Sequence, residues 1–232
     1  MENHSIIQIQ NLTKIFPMGK SDFTALNNVT LAFQQGEFAG LIGPSGSGKT
    51  TLLNIIGSLD TPTKGTVEIL GHSIGNLSAK QAANLRKEKL GFIFQSYNLL
   101  AVHTVYENVE FPLLLLKLNA TLRKKMILEA LEWVGLTDKV DSKPPQLSGG
   151  ECQRVAIARA MVKKPVMVLA DEPTANLDAA NSHHILQTML KLNQELKTTF
   201  LFATHDEKVI NYLKRRIYLI DGKIDKDILV DH

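Results

Sequence analysis

Residues Gly43 to Thr50 read Gly-Pro-Ser-Gly-Ser-Gly-Lys-Thr and fit the pattern G-x-x-x-x-G-K-[ST]. The flanks give that pattern a mechanical meaning. Ahead of it Phe38-Ala-Gly-Leu-Ile42 is a short apolar run of the kind that forms a buried strand, and behind it Thr51-Leu-Leu-Asn-Ile-Ile56 opens as a helix. Strand, glycine loop and helix make a phosphate cradle, because successive backbone N–H groups point inward and the helix N-terminus adds partial positive charge. Lys49 is placed to reach the β- and γ-phosphates and the Thr50 hydroxyl to hold Mg²⁺. The plain alternative, a Gly-rich turn with an exposed lysine, does not account for the strand and helix on either side. The residues expected against a nucleoside triphosphate are Gly43, Pro44, Ser45, Gly46, Ser47, Gly48, Lys49, Thr50 and Thr51.

Composition narrows the class. A chain of 232 residues, 44% hydrophobic and 21% charged, has the makeup of a globular domain with a sizeable core. A formal charge of +3, with no Lys/Arg run longer than three residues (Arg123-Lys-Lys125 being read as a solvated helix face), gives no nucleic-acid footprint, and none is expected as a partner. The single Cys152 rules out an internal disulfide framework and suits a reducing compartment. Neither a signal peptide nor a membrane span is expected: Met1 to Gln10 lacks the basic-then-apolar order, and Leu113 to Leu116 is far short of the ~20 residues a bilayer requires.

Before the loop, Ile6-Ile-Gln-Ile-Gln10 and Val29-Thr-Leu-Ala-Phe33 alternate apolar and polar residues, as half-exposed antiparallel strands do. Phe16-Pro-Met-Gly19 between them reads as a loop, with Phe16 either a stacking platform for a base or a hydrophobic plug. Downstream, Gly65 to Leu70 reads as a strand, residues 78–88 as an exposed helix, and Leu90-Gly-Phe-Ile-Phe94 as a buried strand ending at Gln95. A glutamine at the carboxyl end of a core strand stands where α/β sheets bind ligands, or else simply begins a loop.

From about residue 96 to 150 the pattern turns helical. Thr104 to Leu118 is one expected helix. In Leu122 to Val134 the residues Leu122, Met126, Ala130 and Val134 are expected to face inward, with Arg123, Lys124, Glu129 and Glu132 facing away and Gly135 as the cap. After Pro144-Pro145, a helix expected over Glu151 to Lys163 begins at Ser148-Gly-Gly150, a second potential anion site. Val166-Met-Val-Leu-Ala-Asp-Glu172 reads as a fully buried parallel strand with two carboxylates at its end. Asp171 suits a Mg²⁺ shell beside the phosphate loop, and Glu172, on the other side of the strand line, suits a group that polarises water. Ala175-Asn-Leu-Asp178 starts the next helix, with Asn or Asp as its cap. Thr198 to Ala203 reads as another buried strand, ended by Thr204-His205-Asp206. His205 is the one histidine expected to act, while His183 and His184 (on a polar helix) and His72 and His103 (in loops) are expected to be solvated surface. Asp221-Gly222 predicts a closing hairpin.

Taken together these residues resemble the nucleotide-binding subunits of ATP-binding cassette (ABC) transporters, over nearly the whole chain. Six motifs stand in order: Gly43 to Thr50, Gln95, the signature Leu147-Ser-Gly-Gly-Glu151, the acidic strand Val166 to Glu172, the D-loop Ala175 to Asp178, and His205. The resemblance implies an α/β fold: a P-loop NTPase core with a mostly parallel sheet, an N-terminal antiparallel β subdomain and an inserted α-helical subdomain. Residues 1–95 and 165–232 would form the core with its β subdomain and residues 96–164 the helical part, all within one domain of 232 residues.

It also implies an ATPase in which two copies pack head to tail around two ATP molecules, so that Ser148, Gly149 and Gly150 complete the other copy's γ-phosphate pocket. On this resemblance Phe16 stacks on adenine, Gln95 senses Mg²⁺ and the attacking water, Glu172 is the general base and His205 contacts the γ-phosphate. Thr50, Gln95 and Asp171 would hold the metal. The expected partners are a transmembrane permease subunit, docked around residues 96–118, and a second copy of the chain. The expected place is the cytoplasmic face of the cell membrane.

Leu53-Asn-Ile-Ile-Gly57, Leu59-Asp60 with Pro62, Gly91 to Leu99, Glu107-Asn108-Val109 with Pro112, and Pro173 to Asp178 look like the branch with lipoprotein-releasing and macrolide-exporting systems. Cys152 departs from that branch, which usually has a polar or basic residue there; a cysteine inside a helix is read as a small buried apolar group. A soluble cassette acting on ribosomes or DNA is the alternative, and this chain lacks the tandem motifs, heptads or basic extension of such proteins.

Overall fold

The computed structural model describes residues 5–19 and 21–230. In chain order, β1 (Ser5–Met18) and β2 (Ser21–Gln34) are followed by β3 (Phe38–Ile42), α1 (Lys49–Ile56), β4 (Lys64–Ile69), β5 (His72–Ser73), α2 (Ala79–Lys89) and β6 (Leu90–Ile93). Three helices come next, α3 (Val105–Leu115), α4 (Ala120–Trp133) and α5 (Gly149–Met161). Then follow β7 (Met167–Asp171), α6 (Ala179–Leu196), β8 (Thr199–Thr204), the short α7 (Glu207–Ile210), β9 (Arg215–Ile220) and β10 (Lys223–Leu229).

The strands form two sheets. One is antiparallel, in the order β2-β1-β4-β5. The other, in the order β10-β9-β3-β8-β7-β6, is parallel from β9 to β6, with β10 antiparallel at its edge. Alternation along the parallel strands sorts their side chains onto two faces. Phe38, Ile42, Val168, Ala170, Phe200 and Phe202 share a core with α3, α4, α5 and α6. Ala39, Leu41, Met167, Leu169, Leu201 and Ala203 share the other with α1 and the antiparallel sheet. The helix-side core is anchored by Phe38, whose ring centroid lies 4.8 Å from that of Phe202 and 5.6 Å from that of Phe200.

Helix starts follow their caps. Ser78, Thr104 and Ser148 each accept from the backbone N–H three residues on, and Gln81, Glu107 and Glu151 return the bond. Asn108, fully buried, fastens the loop ahead of α3: its amide donates to Leu100 O and Thr104 O and accepts from Leu100 N. Gly135 ends α4 with φ +63°, as the sequence predicts. The predicted hairpin at Asp221-Gly222 forms as β9 and β10.

Several expectations change. Phe16-Pro17-Met18 is not a loop: β1 runs through it, pairing Phe16 with Phe23 and Met18 with Ser21 across the hairpin. Helix α4 buries Ile127, Ala130, Leu131 and Val134, whereas Leu122 is exposed and Met126 half-buried. Each step of four residues drifts about 40° around a 3.6-residue helix, so a stripe chosen at every fourth position leaves the core face. Arg123 does not face away; its Nε donates to Glu110 Oε1 at 2.8 Å and its Nη1 to Leu118 O. His72 lies in the short strand β5, not in a loop, and is exposed as expected; His183 is exposed on α6, where it hydrogen-bonds Tyr212. The helices α3 and α5 are also shorter or shifted by a few residues relative to the expected spans, as helix ends commonly are.

Between the helical part and the parallel sheet lies a groove of about 480 Å³ with Leu59, Phe92, Phe94, Phe111 and Leu115 in its walls. Four cations, Arg86, Lys87, Arg159 and Lys163, line it. Arg86 donates to Ser58 O, Arg159 to Tyr97 O and Asn98 O, and Lys163 to Arg86 O and Lys87 O. Lys87 lies 3.8 Å from Glu88.

Candidate functional site

The phosphate loop lies between the carboxyl end of β3 and α1, as predicted. Gly46 (φ +82°) and Gly48 (φ +102°) take left-handed conformations that favour glycine. Gly48 is the N-cap of α1 and has no side chain to cap it, so the first N–H groups of that helix are left for a ligand. The loop has a support from far along the chain. A Cβ at Gly43 would run into the carbonyl of Leu219, Gly222 N donates to Ser47 O at 3.1 Å, and Asn27 N donates to Gly222 O at 2.8 Å.

Lys49 is 7% exposed and donates to Gly43 O at 2.7 Å and Pro44 O at 2.9 Å, a curl over the loop that holds its ammonium inside the cradle. Burial lowers its pKa, opposed by Glu172 and Asp171. Thr50 Oγ1, at the start of α1, donates to Asp171 Oδ2 at 3.1 Å. Burial raises the Asp171 pKa, against the hydrogen bond from Thr50; the charge of Glu172 adds to the rise and that of Lys49 opposes it. Both groups are thus shifted toward their neutral forms by desolvation, which a polyanion and a cation placed here would offset.

Glu172 follows β7 at φ +45°, an uncommon backbone for a residue with a side chain and one met at functional sites. The turn points its carboxylate toward the end of β8. Oε2 accepts from Thr204 Oγ1 at 3.1 Å, and Oε1 lies 2.6 Å from His205 Nδ1. A carboxylate only accepts, so Nδ1 carries the proton in this pair. His205 is otherwise exposed (61% for its side chain, against 15% for Glu172), leaving Nε2 open to the cleft.

These groups line one cleft of about 480 Å³, from Ser45, Gly46 and Gly48 through Lys49, Thr50 and Thr51 to Gln95, Asp171, Glu172 and His205. Gln95 is exposed just past β6, and its carbonyl accepts from Asn176 Nδ2 at 3.0 Å, which ties it to the D-loop. Phe16 is not in this wall. Its ring is covered by Lys14 Nζ, 4.9 Å from the centroid, and it is its cross-strand neighbour Phe23, with Ala25, that lines the cleft. Sequence reasoning missed Phe23; the only signal for it is the pairing across a hairpin that the turn-like Pro17 and Gly19 concealed.

The signature residues stand elsewhere. Ser148, Gly149 and Gly150 do not line the cleft. Ser148 caps α5, Gly150 is buried against Asn181, and Gly149 lies beside the Tyr97 hydroxyl. Cys152 is buried, its Sγ 3.6 Å from Pro144 O, and burial raises its pKa.

A metal in the cleft would meet hydroxyl and carboxylate oxygen from Thr50 and Asp171, a donor set for a hard cation. Among the described residues no group of three or more His, Cys, Asp or Glu could hold a metal. Mg²⁺ takes one or two carboxylates and completes its shell with phosphate and water, and the Thr50–Asp171 oxygens would fit it.

The ABC transporter family model matches residues 26–175. Over 222 residues, 96% of each chain, the sequence is 46% identical to the lipoprotein-releasing system ATP-binding protein LolD of Pseudoalteromonas translucida. It is 43% identical, over 96% of each chain, to an uncharacterized ABC transporter ATP-binding protein of Methanocaldococcus jannaschii, MJ0796. The dimeric structure of that cassette superposes with a TM-score of 0.89 at 42% identity, covering 97% of this chain and 99% of the other. A dimeric post-hydrolysis state of the same cassette, bound to ADP and Pi, superposes with the same TM-score, identity and coverage. The chain belongs to the ABC transporter family. Within it, the chain is an ATP-binding subunit with ATPase activity.

Proposed function

We propose that two copies of this chain close head to tail on two ATP molecules and drive a transmembrane permease by hydrolysing them. The observation that carries this reading is that Lys49, Thr50, Asp171, Glu172 and His205 share one cleft while Ser148 to Gly150 of the same chain stand outside it. One chain thus offers a phosphate loop with its acid and histidine, and separately offers a glycine-bearing helix start. The dimeric cassettes that resemble it support pairing the two across an interface.

In the closed site the loop amides and Lys49 hold the phosphates, Thr51 and Ser45 flank them, and Thr50, Asp171 and Gln95 hold Mg²⁺. Bound Mg²⁺ neutralises phosphate charge. Glu172, fixed by Thr204 and His205, accepts a proton from the attacking water. His205 donates to Glu172 from Nδ1, which leaves Nε2 to face the γ-phosphate. The residues' work is positioning and electrostatic stabilisation of a loose transition state. Phe23 and Phe16, neighbours on the hairpin, are the aromatic choices for the adenine.

Residues 96–164 act as the helical subdomain, and the groove beside residues 96–118 is the seat of the permease's cytoplasmic segment. Exposed Phe111, Leu114 and Leu115 favour an apolar partner there. Among the described residues no helix is long and apolar enough to cross a membrane. The proposed place is the cytoplasmic face, held by that partner. The likeness to LolD favours lipoprotein release as the driven process, with macrolide or peptide export the related choice.

Glu172→Gln keeps the shape of the side chain and removes the base. Hydrolysis should fall about a thousandfold while ATP now traps a dimer on gel filtration. Hydrolysis at the parental rate would remove Glu172 from the mechanism. Crosslinks from the permease that land on β1 and β2 instead of residues 96–118 would overturn the docking assignment.

A further inference from the structure

The signature helix is bolted to the segment that follows the catalytic acid. At its buried side, Gln153 Nε2 donates to Pro173 O at 2.6 Å, next to Glu172. At its start, Gly150 meets Asn181: a Cβ on Gly150 would lie 2.5 Å from Asn181 Oδ1 and 2.8 Å from its Cγ. Asn181 cannot easily give way. Its N–H donates to Asp178 Oδ1 at 2.8 Å and its Nδ2 donates to Asp178 Oδ2 at 2.7 Å, so the N-cap of α6 grips it twice. The same stretch reaches Gln95 O through Asn176 Nδ2.

We propose that Asn181 is a positioning residue for the signature. Held by Asp178, it fills the space a side chain at Gly150 would need and sets where Ser148 to Gly150 stand relative to their own chain's Glu172. Gly150 is then kept free of a side chain by a neighbour in its own chain, which leaves its backbone bare for the other copy's phosphate. A shift of the 172–181 segment at one ATP moves the signature offered to the other ATP. This rests on the reading that the signature closes the second copy's site.

The test uses the full chain in the Glu172→Gln background, with ATP-driven dimerisation read by gel filtration, and with binding of a fluorescent ATP analogue and thermal unfolding read on single copies. Gly150→Ala should weaken dimerisation about tenfold, the order of coupling expected for groups in contact. Adding Asn181→Ala to it should restore most of that loss. Asn181→Ala alone should weaken dimerisation severalfold while analogue affinity and unfolding temperature hold, a split that a general loss of packing would not give.

A double variant as weak as Gly150→Ala alone would mean that the ligand demands the glycine, and the proposal falls. If Asn181→Ala dimerises like the parent, it falls as well, whether or not Gly150→Ala folds. Ser148→Arg separates this from the underlying reading. If it abolishes dimerisation while the Asn181 variants do nothing, only the positioning role is lost. If it dimerises normally, the signature reading itself is wrong.

Discussion

The phosphate loop and the signature are the same device, a glycine-bearing turn feeding a helix N-terminus, yet the chain treats them differently. At α1 the cap is Gly48, which offers no side chain, and the buried Lys49 curls back onto Gly43 and Pro44. At α5 the cap is Ser148, whose hydroxyl accepts from Glu151 N while the Glu151 carboxylate accepts from Ser148 N. The first helix start is surrounded by Asp171, Glu172 and His205. The second has Glu151, 3.8 Å from Lys139, as part of its own cap, and rests on Asn181 and the D-loop. A bare helix start needs its ligand, whereas a capped one stands complete and can be presented to another molecule.

Lys49→Met should break this contrast most strongly. Nucleotide affinity should fall on the order of a hundredfold, as for loss of a preorganised charged donor, read by fluorescent-analogue titration. Stability should not fall with it, because burial already disfavours the ammonium in the folded chain. A lowered unfolding temperature would show that the lysine's bonds to the loop carbonyls matter more than its burial.

Gly48→Ala tests the bare cap. Its φ of +102° and the approach of the Ala25 carbonyl and Leu26 leave no room for a methyl, and unfolding in urea should show a loss of about 2 kcal/mol. Ser148→Ala tests the self-made cap. It should cost about 1 kcal/mol by the same measurement and leave a single copy's nucleotide affinity unchanged. Equal effects of Ser148→Ala on stability and on nucleotide binding by single copies would dissolve the distinction between the two starts.

The smallest effect concerns Lys163, just past the end of α5, whose pKa burial lowers from 10.5 to about 8. Below about 8 both folded and unfolded chains hold the proton and the penalty is fully present. Between about 8 and 10.5 the unfolded chain binds more protons, so this group makes stability rise with pH across that window. Lys163→Met should flatten the slope in urea unfolding over that range.

Much of this was legible because it is written locally. The loop pattern, the acids after an apolar run, and the Asp-Gly turn each act over a few residues, and each formed where expected. Failures came where a distant partner decides. Pro17 and Gly19 look like a loop until Phe23 pairs across from Phe16. The buried face of α4 departs from a four-residue stripe because a few degrees per residue accumulate over three turns, and Arg123 turns from solvent to Glu110, which lies on another helix. The contacts of Gly150 with Asn181 and of Gln95 with Asn176 join motifs whose order along the chain is readable and whose touching is not.

The support under the phosphate loop has a consequence for the history of each molecule. Ser47 and Gly43 rest on Gly222 and Leu219, and β3 takes β9 as a neighbour, so the phosphate loop of a growing chain is braced by a hairpin made much later. While the chain is still emerging from the ribosome, the loop exists without the hairpin that shapes it. Tight ATP binding therefore waits for the β9–β10 hairpin, and chains that stop short of it do not compete with longer ones for nucleotide or for a second copy. Nascent chains halted before Arg215 and probed for nucleotide protection should show none.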